Sequence, residues 1–137
     1  MGWKIDHIGI AVRDLEKSMA RWQAVFPLRI KRVEMLQERG VKLAQLDLEA
    51  GPSVELIAAY GGDSSIEKFI DEKGEGIHHF SFEVDDIHRS IQELKEKGIQ
   101  FVEPVPVQGA EGSSIAFIHP RNLNGVLIEL KEKRDKD

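Results

Sequence analysis

The sequence predicts an α+β protein built from two tandem β-α-β-β-β modules. Three observations predict it. A stretch near the start recurs 72 residues later. Each copy passes from an alternating strand pattern into an amphipathic helix. Each copy then closes in a short apolar strand that holds one glutamate.

The recurring stretch is Ile5-Asp6-His7-Ile8-Gly9-Ile10-Ala11-Val12 through Ser18, matched by Ile77-His78-His79-Phe80-Ser81-Phe82-Glu83-Val84 through Ser90. His7 falls on His79, Val12 on Val84, Asp14 on Asp86 and Ser18 on Ser90. The closing strands are Ser53-Val54-Glu55-Leu56-Ile57 and Leu127-Ile128-Glu129-Leu130, now offset by 74 residues.

In the first module, residues 4–12 alternate as a strand does. Asp14 caps the next helix, whose apolar face is Leu15, Met19, Trp22 and Phe26, and Pro27 ends it. Strands follow near 28–37, 41–49 and 53–59, with turns at Gly40 and at Gly51-Pro52. A connector over about 61–75 holds a short helix from about Ile66 to Lys73. The second module has a strand at 77–84 and a helix from Ile87 to Lys97. Asp86 caps that helix, Ile87, Ile91 and Leu94 form its apolar face, and Gly98 stops it. Strands near 100–105, 114–119 and 125–131 complete the copy. The expected organisation is a single domain over 1–137: module one about 3–60, module two about 76–132, and a frayed tail at 133–137. The charged end from Lys131 onward is expected to fray.

Composition narrows the function. With 41% hydrophobic and 31% charged residues, the 137-residue chain is an ordinary globular one that can bury a sizeable core. A net charge of −5 without a basic stripe argues against nucleic acid or an anionic membrane as partner. The absence of cysteine excludes disulfides, thiolate catalysis and Cys-based zinc sites, so a metal must be held by nitrogen and oxygen. No segment reads as a signal peptide or membrane span, and the expected location is the cytoplasm.

The duplicated His and Glu suggest a metal. If the modules are related by a pseudo-twofold axis, His7, Glu55, His79 and Glu129 converge as an N₂O₂ set. That set suits Zn, Mn, Co, Ni or Fe as a divalent ion, and leaves positions open for a bidentate substrate. Each glutamate sits in an apolar run; it either faces solvent or faces inward, where an unpaired carboxylate is costly and a metal relieves that cost. His78 and His79 point to opposite faces, and the repeat selects His79. His88 lies on a helix facing solvent. His119, before Pro120, is either a neighbour of the site, a substrate contact or a strand terminator.

Several motifs carry a family resemblance. They are Ile5 to Val12, Asp63-Ser64-Ser65-Ile66, Lys68-Phe69-Ile70, Gly74-Glu75-Gly76-Ile77-His78-His79, Gly109-Ala110, Ala116-Phe117-Ile118-His119-Pro120, and Gly125 to Leu130. In these, nearly the whole chain resembles the vicinal oxygen chelate superfamily, which includes glyoxalase I. Within it, the chain is most similar to the epimerase branch that acts on methylmalonyl-CoA. The resemblance implies a cupped mixed sheet around one divalent metal, an acyl-CoA substrate, a homodimer, and interconversion of (2R)- and (2S)-methylmalonyl-CoA through a metal-stabilised enolate. Inversion calls for two acid/base groups. The resemblance gives Glu129 the roles of ligand and acid/base. Some members carry the other base at the position of Leu43, and leucine moves no proton. Gln45 stands where an aromatic is common, and it can hydrogen-bond substrate. Leu56-Ile57-Ala58-Ala59-Tyr60 departs from the family's Leu-Leu-Glu-Pro pattern. The alternatives are a glyoxalase-like isomerase or lyase on the same site, or a non-enzymatic binding module.

Overall fold

Eight strands and three α-helices alternate along the chain in a computed structural model that describes residues 3–62 and 64–132. The order is β1 (Lys4–Ala11), α1 (Leu15–Val25), β2 (Arg29–Leu36), β3 (Val41–Asp47), β4 (Ser53–Ala59), α2 (Ser65–Lys73), β5 (Gly76–Val84), α3 (Ile87–Glu96), β6 (Phe101–Gln108), β7 (Ser114–Ile118) and β8 (Ile128–Glu132). The chain divides into two compact units, His7–His78 and the residues before His7 together with those from His79 on.

In the His7–His78 unit the strand order is β2-β3-β4-β1. β1 and β4 are parallel, and the other two pairings are antiparallel. α1 starts where expected: the Asp14 carboxylate accepts the Lys17 N–H at 3.0 Å, satisfying one of the otherwise unpaired first-turn donors. The helix ends one residue earlier than the apolar pattern suggested. Phe26 is already extended and 45% exposed, because Pro27 disfavours helical backbone in the residue before it. Leu15 is the fully buried residue of α1; Met19 and Trp22 pack against the core only in part. They meet Ala44 and Leu46 of β3 with Leu56 and Ala58 of β4, the even-numbered face of the sheet.

β2 contains a bulge. Ile30 pairs with Leu46 but Arg32 pairs with Gln45, so Lys31 is extra. One extra residue reverses which side chains face which way. Beyond it, Arg32 and Glu34 share the odd-numbered face of β3, while Val33 and Met35 turn outward and are about half exposed. A 3₁₀ turn at Gln37–Arg39 closes on Gly40, whose φ of 68° is left-handed.

The other unit has the order β5-β8-β7-β6, again with a parallel inner pair. α3 is capped by the Asp86 carboxylate, which accepts the Arg89 N–H at 3.1 Å. Ile87 and Ile91 are buried against Ala116, Ile118, Ile128 and Leu130, with Leu94 packed beside them. Lys97 caps the helix, followed by Gly98 at φ 87°. Two strands differ from expectation. β6 runs on to Gln108 although it carries Pro104 and Pro106; both fall in the interval between Val102 and Val107 where pairing with β7 lapses, on the outer strand. β8 begins at Ile128 rather than 125, because Gly125 and Val126 donate back to the Pro120–Asn122 turn and its exit. Lys131 and Glu132 belong to β8 and do not fray. The expected tail at 133–137 and Asp63 of the connector motif lie outside the described residues.

A candidate metal centre

Each unit holds one buried His–Glu pair, made by the same register. In the first, Gly9 of β1 pairs with Glu55 of β4. His7 lies two residues earlier on that face, and its Nε2 stands 3.6 Å from Glu55 Oε2. In the second, Ser81 of β5 pairs with Glu129 of β8. His79 again lies two residues earlier, with Nε2 3.7 Å from Glu129 Oε1. The four side chains are at most 8% exposed.

These distances lie between a direct contact and open separation. A strong N–H···O bond runs about 2.7–3.2 Å, shorter than either pair. Two donor atoms, each about 2.1 Å from one ion, stand roughly 3 to 3.4 Å apart, so each pair would close a little further to share one. Buried imidazoles beside buried carboxylates make a neutral-plus-anionic donor set of the kind a borderline divalent ion prefers. A glutamate turned inward on an apolar strand is costly without such a partner.

The two pairs differ in their surroundings. The Ser81 hydroxyl donates to Glu129 Oε2 at 2.7 Å, which leaves Oε1 as the oxygen directed at His79. Gly9, in the corresponding place beside Glu55, has no side chain to donate. On the outer side, Glu55 pairs with Gln45 and Glu129 with Phe117, whose ring stands edge-on to His79 at 6.0 Å. Gln45 is thus on the Glu55 face. It accepts from the Arg32 guanidinium and donates to Ser53 Oγ at 2.9 Å and Asp47 Oδ1 at 3.2 Å. Ser53 in turn donates to Asp47 at 2.6 Å.

The remaining histidines fall away from these pairs. His78 packs edge-on to Phe69 of α2 at 4.9 Å. His88 is exposed on α3. His119 Nδ1 accepts from Arg121 N–H at 3.1 Å and so caps the turn that follows β7. Leu43 is 1% exposed and lies directly between Glu34 of β2 and Ile57 of β4. Sequence reasoning missed Ser81, Arg32, Ser53, Asp47 and Glu34. Ser81 was within reach, two residues after His79 on one strand face; Arg32 and Glu34 were not, because the bulge sets their direction.

The sequence matches the Glyoxalase/Bleomycin resistance protein/Dioxygenase superfamily over residues 6–117, and the chain belongs to that family. Within it, the chain belongs with the methylmalonyl-CoA epimerases. The mitochondrial methylmalonyl-CoA epimerase of Dictyostelium discoideum is 37% identical over 131 residues, 95% of this chain and 78% of that one. A hypothetical protein, BH1468 of Bacillus halodurans C-125, superposes with a TM-score of 0.94 at 39% identity, covering 100% of this chain and 99% of the other. A methylmalonyl-CoA epimerase solved in complex with methylmalonyl-CoA and NH4+ gives 0.88 at 32% identity, covering 95% and 94%. The paired β-α-β-β-β architecture expected from the repeat is the family's fold.

Proposed function

We propose that the protein is a metal-dependent epimerase that interconverts (2R)- and (2S)-methylmalonyl-CoA, with His7, Glu55, His79 and Glu129 holding one divalent ion. The observation that carries the proposal is the buried His–Glu pair repeated at the same register in both units. The relatives named methylmalonyl-CoA epimerase supply the substrate. A divalent ion bound there supplies Lewis-acid stabilisation of the negative charge that builds on the thioester oxygen as C2 loses its proton.

The chain's own residues do the rest. Glu129 takes the C2 proton from one face or returns it. Its hydrogen bond from Ser81 fixes the rotamer and steadies the carboxylate, so little reorganisation is needed when the proton moves. Phe117 covers the adjacent β7 position with an apolar ring, which excludes water beside His79. Arg32, held by Gln45, offers a guanidinium donor to the polar part of the acyl group. His119, with Nδ1 engaged in its cap, offers Nε2 to the CoA chain.

Among the described residues no helix is long and apolar enough to cross a membrane. We place the protein in the cytoplasm, its two units acting as one domain, as a homodimer. Exposed Val25, Phe26, Val33 and Met35 support the dimer, since apolar side chains left uncovered favour association. The test uses protein loaded in turn with Co, Mn, Zn, Ni and Fe. Incubation with (2R)-methylmalonyl-CoA in D₂O should give deuterium at C2 together with the 2S epimer. Absence of exchange from both epimers with every metal overturns the proposal.

A further inference from the structure

We propose that the unit holding His79 and Glu129 carries a second ligand site, on the helix side of its sheet, which takes a medium-chain carboxylate. An apolar cavity receives the chain and a cationic rim receives the head. The inference goes beyond the epimerase reading and does not depend on the metal centre.

Alternation along β5, β7 and β8 separates two faces. Ser81 and Glu129 lie on one. Phe82, Ile118, Ile128 and Leu130 lie on the other, in the cluster that packs with α3. The helix does not cover this second face completely. A cavity of about 310 Å³ remains between Leu94 of α3, Trp3, Leu123 and the strands, and every described residue that lines it is apolar. Ile118, Ile128 and Leu130 form its floor and are at most 9% exposed, whereas Trp3 and Leu123 are 47% and 43% exposed and stand at its mouth. Ligand sites begin at about 300 Å³. A water held there would lack the two to four polar partners it needs, so the space suits a hydrocarbon. A methylene takes nearly the volume of a water, about 30 Å³, so the cavity holds a chain of up to about ten carbons.

Ile99 also lines a neighbouring cleft of about 500 Å³, so the two hollows adjoin. The cleft is lined in part by Lys95, Arg121 and Glu103, two cations against one acid. Glu103 engages Lys95 at 3.0 Å, so Arg121 supplies the positive charge in excess. Its Nε lies 3.4 Å from His119 Nδ1, an acceptor that orients the guanidinium without cancelling its charge. A guanidinium beside an apolar hollow is matched by a carboxylate on an alkyl chain.

Local hydrogen bonds fix this adjacency. Asn122 Nδ2 donates to the Gln100 carbonyl at 2.8 Å, and Asn122 Oδ1 accepts the Gln100 N–H at 3.2 Å. The turn after β7 is thereby tied to the segment leaving α3. Arg121 precedes Asn122 toward the cleft, and Leu123 follows it toward the cavity. Ile99 is held against α3 by its own N–H, which donates to Leu94 O at 3.0 Å.

The test uses Trp3 as the reporter. It lines the cavity and is one of two tryptophans, so in a Trp22→Phe background its emission reads occupancy. Butanoate, hexanoate, octanoate and decanoate are titrated with this readout and by calorimetry, with 1-octanol as the uncharged probe. Octanoate should bind with a Kd below about 0.1 mM, and each added methylene should tighten binding about fourfold. Arg121→Met should weaken octanoate about tenfold or more and leave 1-octanol unchanged. Leu123→Asp should weaken both probes, with an unchanged circular dichroism spectrum. Affinity that does not rise with chain length overturns the proposal, as does unchanged octanoate binding by Arg121→Met. Displacement of octanoate by coenzyme A also overturns it, because the site would then belong to the acyl-CoA substrate.

Discussion

The Ser81 hydroxyl lies 2.7 Å from Glu129 Oε2, on the strand position that in the other unit is held by Gly9. The repeat therefore keeps its His–Glu pairs and varies the residue paired with each glutamate, serine in one unit and glycine in the other. A carboxylate with one oxygen anchored is suited to presenting the other in a fixed direction, which is the part proposed for Glu129.

Ser81→Ala separates these roles. Removing a hydrogen bond to a charged group costs about 1.5–3 kcal/mol. We expect kcat to fall about tenfold or more while metal stoichiometry stays within error of wild type. Steady-state kinetics with elemental analysis checks this; loss of metal instead would make Ser81 a support of ligation.

The four proposed ligands should behave as a set. His7→Ala, Glu55→Ala and His79→Ala are each expected to lower metal affinity by more than about a hundredfold, beyond the loss typical of outer-shell partners. Added metal should raise the thermal midpoint of the wild type, because an ion that binds only the folded state stabilises it by about 2.7 kcal/mol at a hundred times Kd. Melts with and without metal should show that rise shrinking in all three variants.

Metal uptake should release protons, since imidazole must be neutral and carboxylate ionised to ligate. Affinity should therefore decline steadily as pH falls. Calorimetric titration in buffers of different ionisation enthalpy reports the protons released; uptake without release would point away from His7 and His79.

Gly109→Ala should disturb the second unit from outside the His–Glu pair. A Cβ there would sit 2.8 Å from Ile115 Cγ2 and 3.0 Å from its Cδ1. Ile115 is buried on β7 opposite Lys131 of β8, so it can move only by repacking. Overpacking of this kind costs about 1–3 kcal/mol, to be read as a lower urea midpoint at unchanged m-value.

Much of this was legible from the sequence, for identifiable reasons. Asp14 and Asp86 mark helix starts through short-range chemistry, and both caps form. His7 and Glu55, with their repeats His79 and Glu129, stand out because a duplicated pattern filters accident from signal. What was hidden depends on interactions distant in sequence. The true start of β8 is set by Gly125 and Val126 bonding back to the turn near Pro120. β6 continues past Pro104 and Pro106 because an outer strand can leave positions unpaired. Met19 and Trp22 lie on the apolar stripe of α1 but stay partly exposed, since periodicity gives a direction and not the extent of the cover above it. The inward turn of Arg32 and Glu34 was beyond any pattern of alternation, because Lys31 breaks the phase without leaving a mark in composition.

That single unpaired lysine makes strand register, as well as residue identity, a determinant of the surface on this face. Deleting Lys31 would close the bulge and keep Arg32 opposite Gln45 and Glu34 opposite Leu43. Keeping it in regular pairing would set Lys31 itself opposite Gln45 and bring Val33 and Met35 onto the face that carries Gln45 and Leu43. The same letters thus hold two possible faces for this outer strand, and the bulge selects between them.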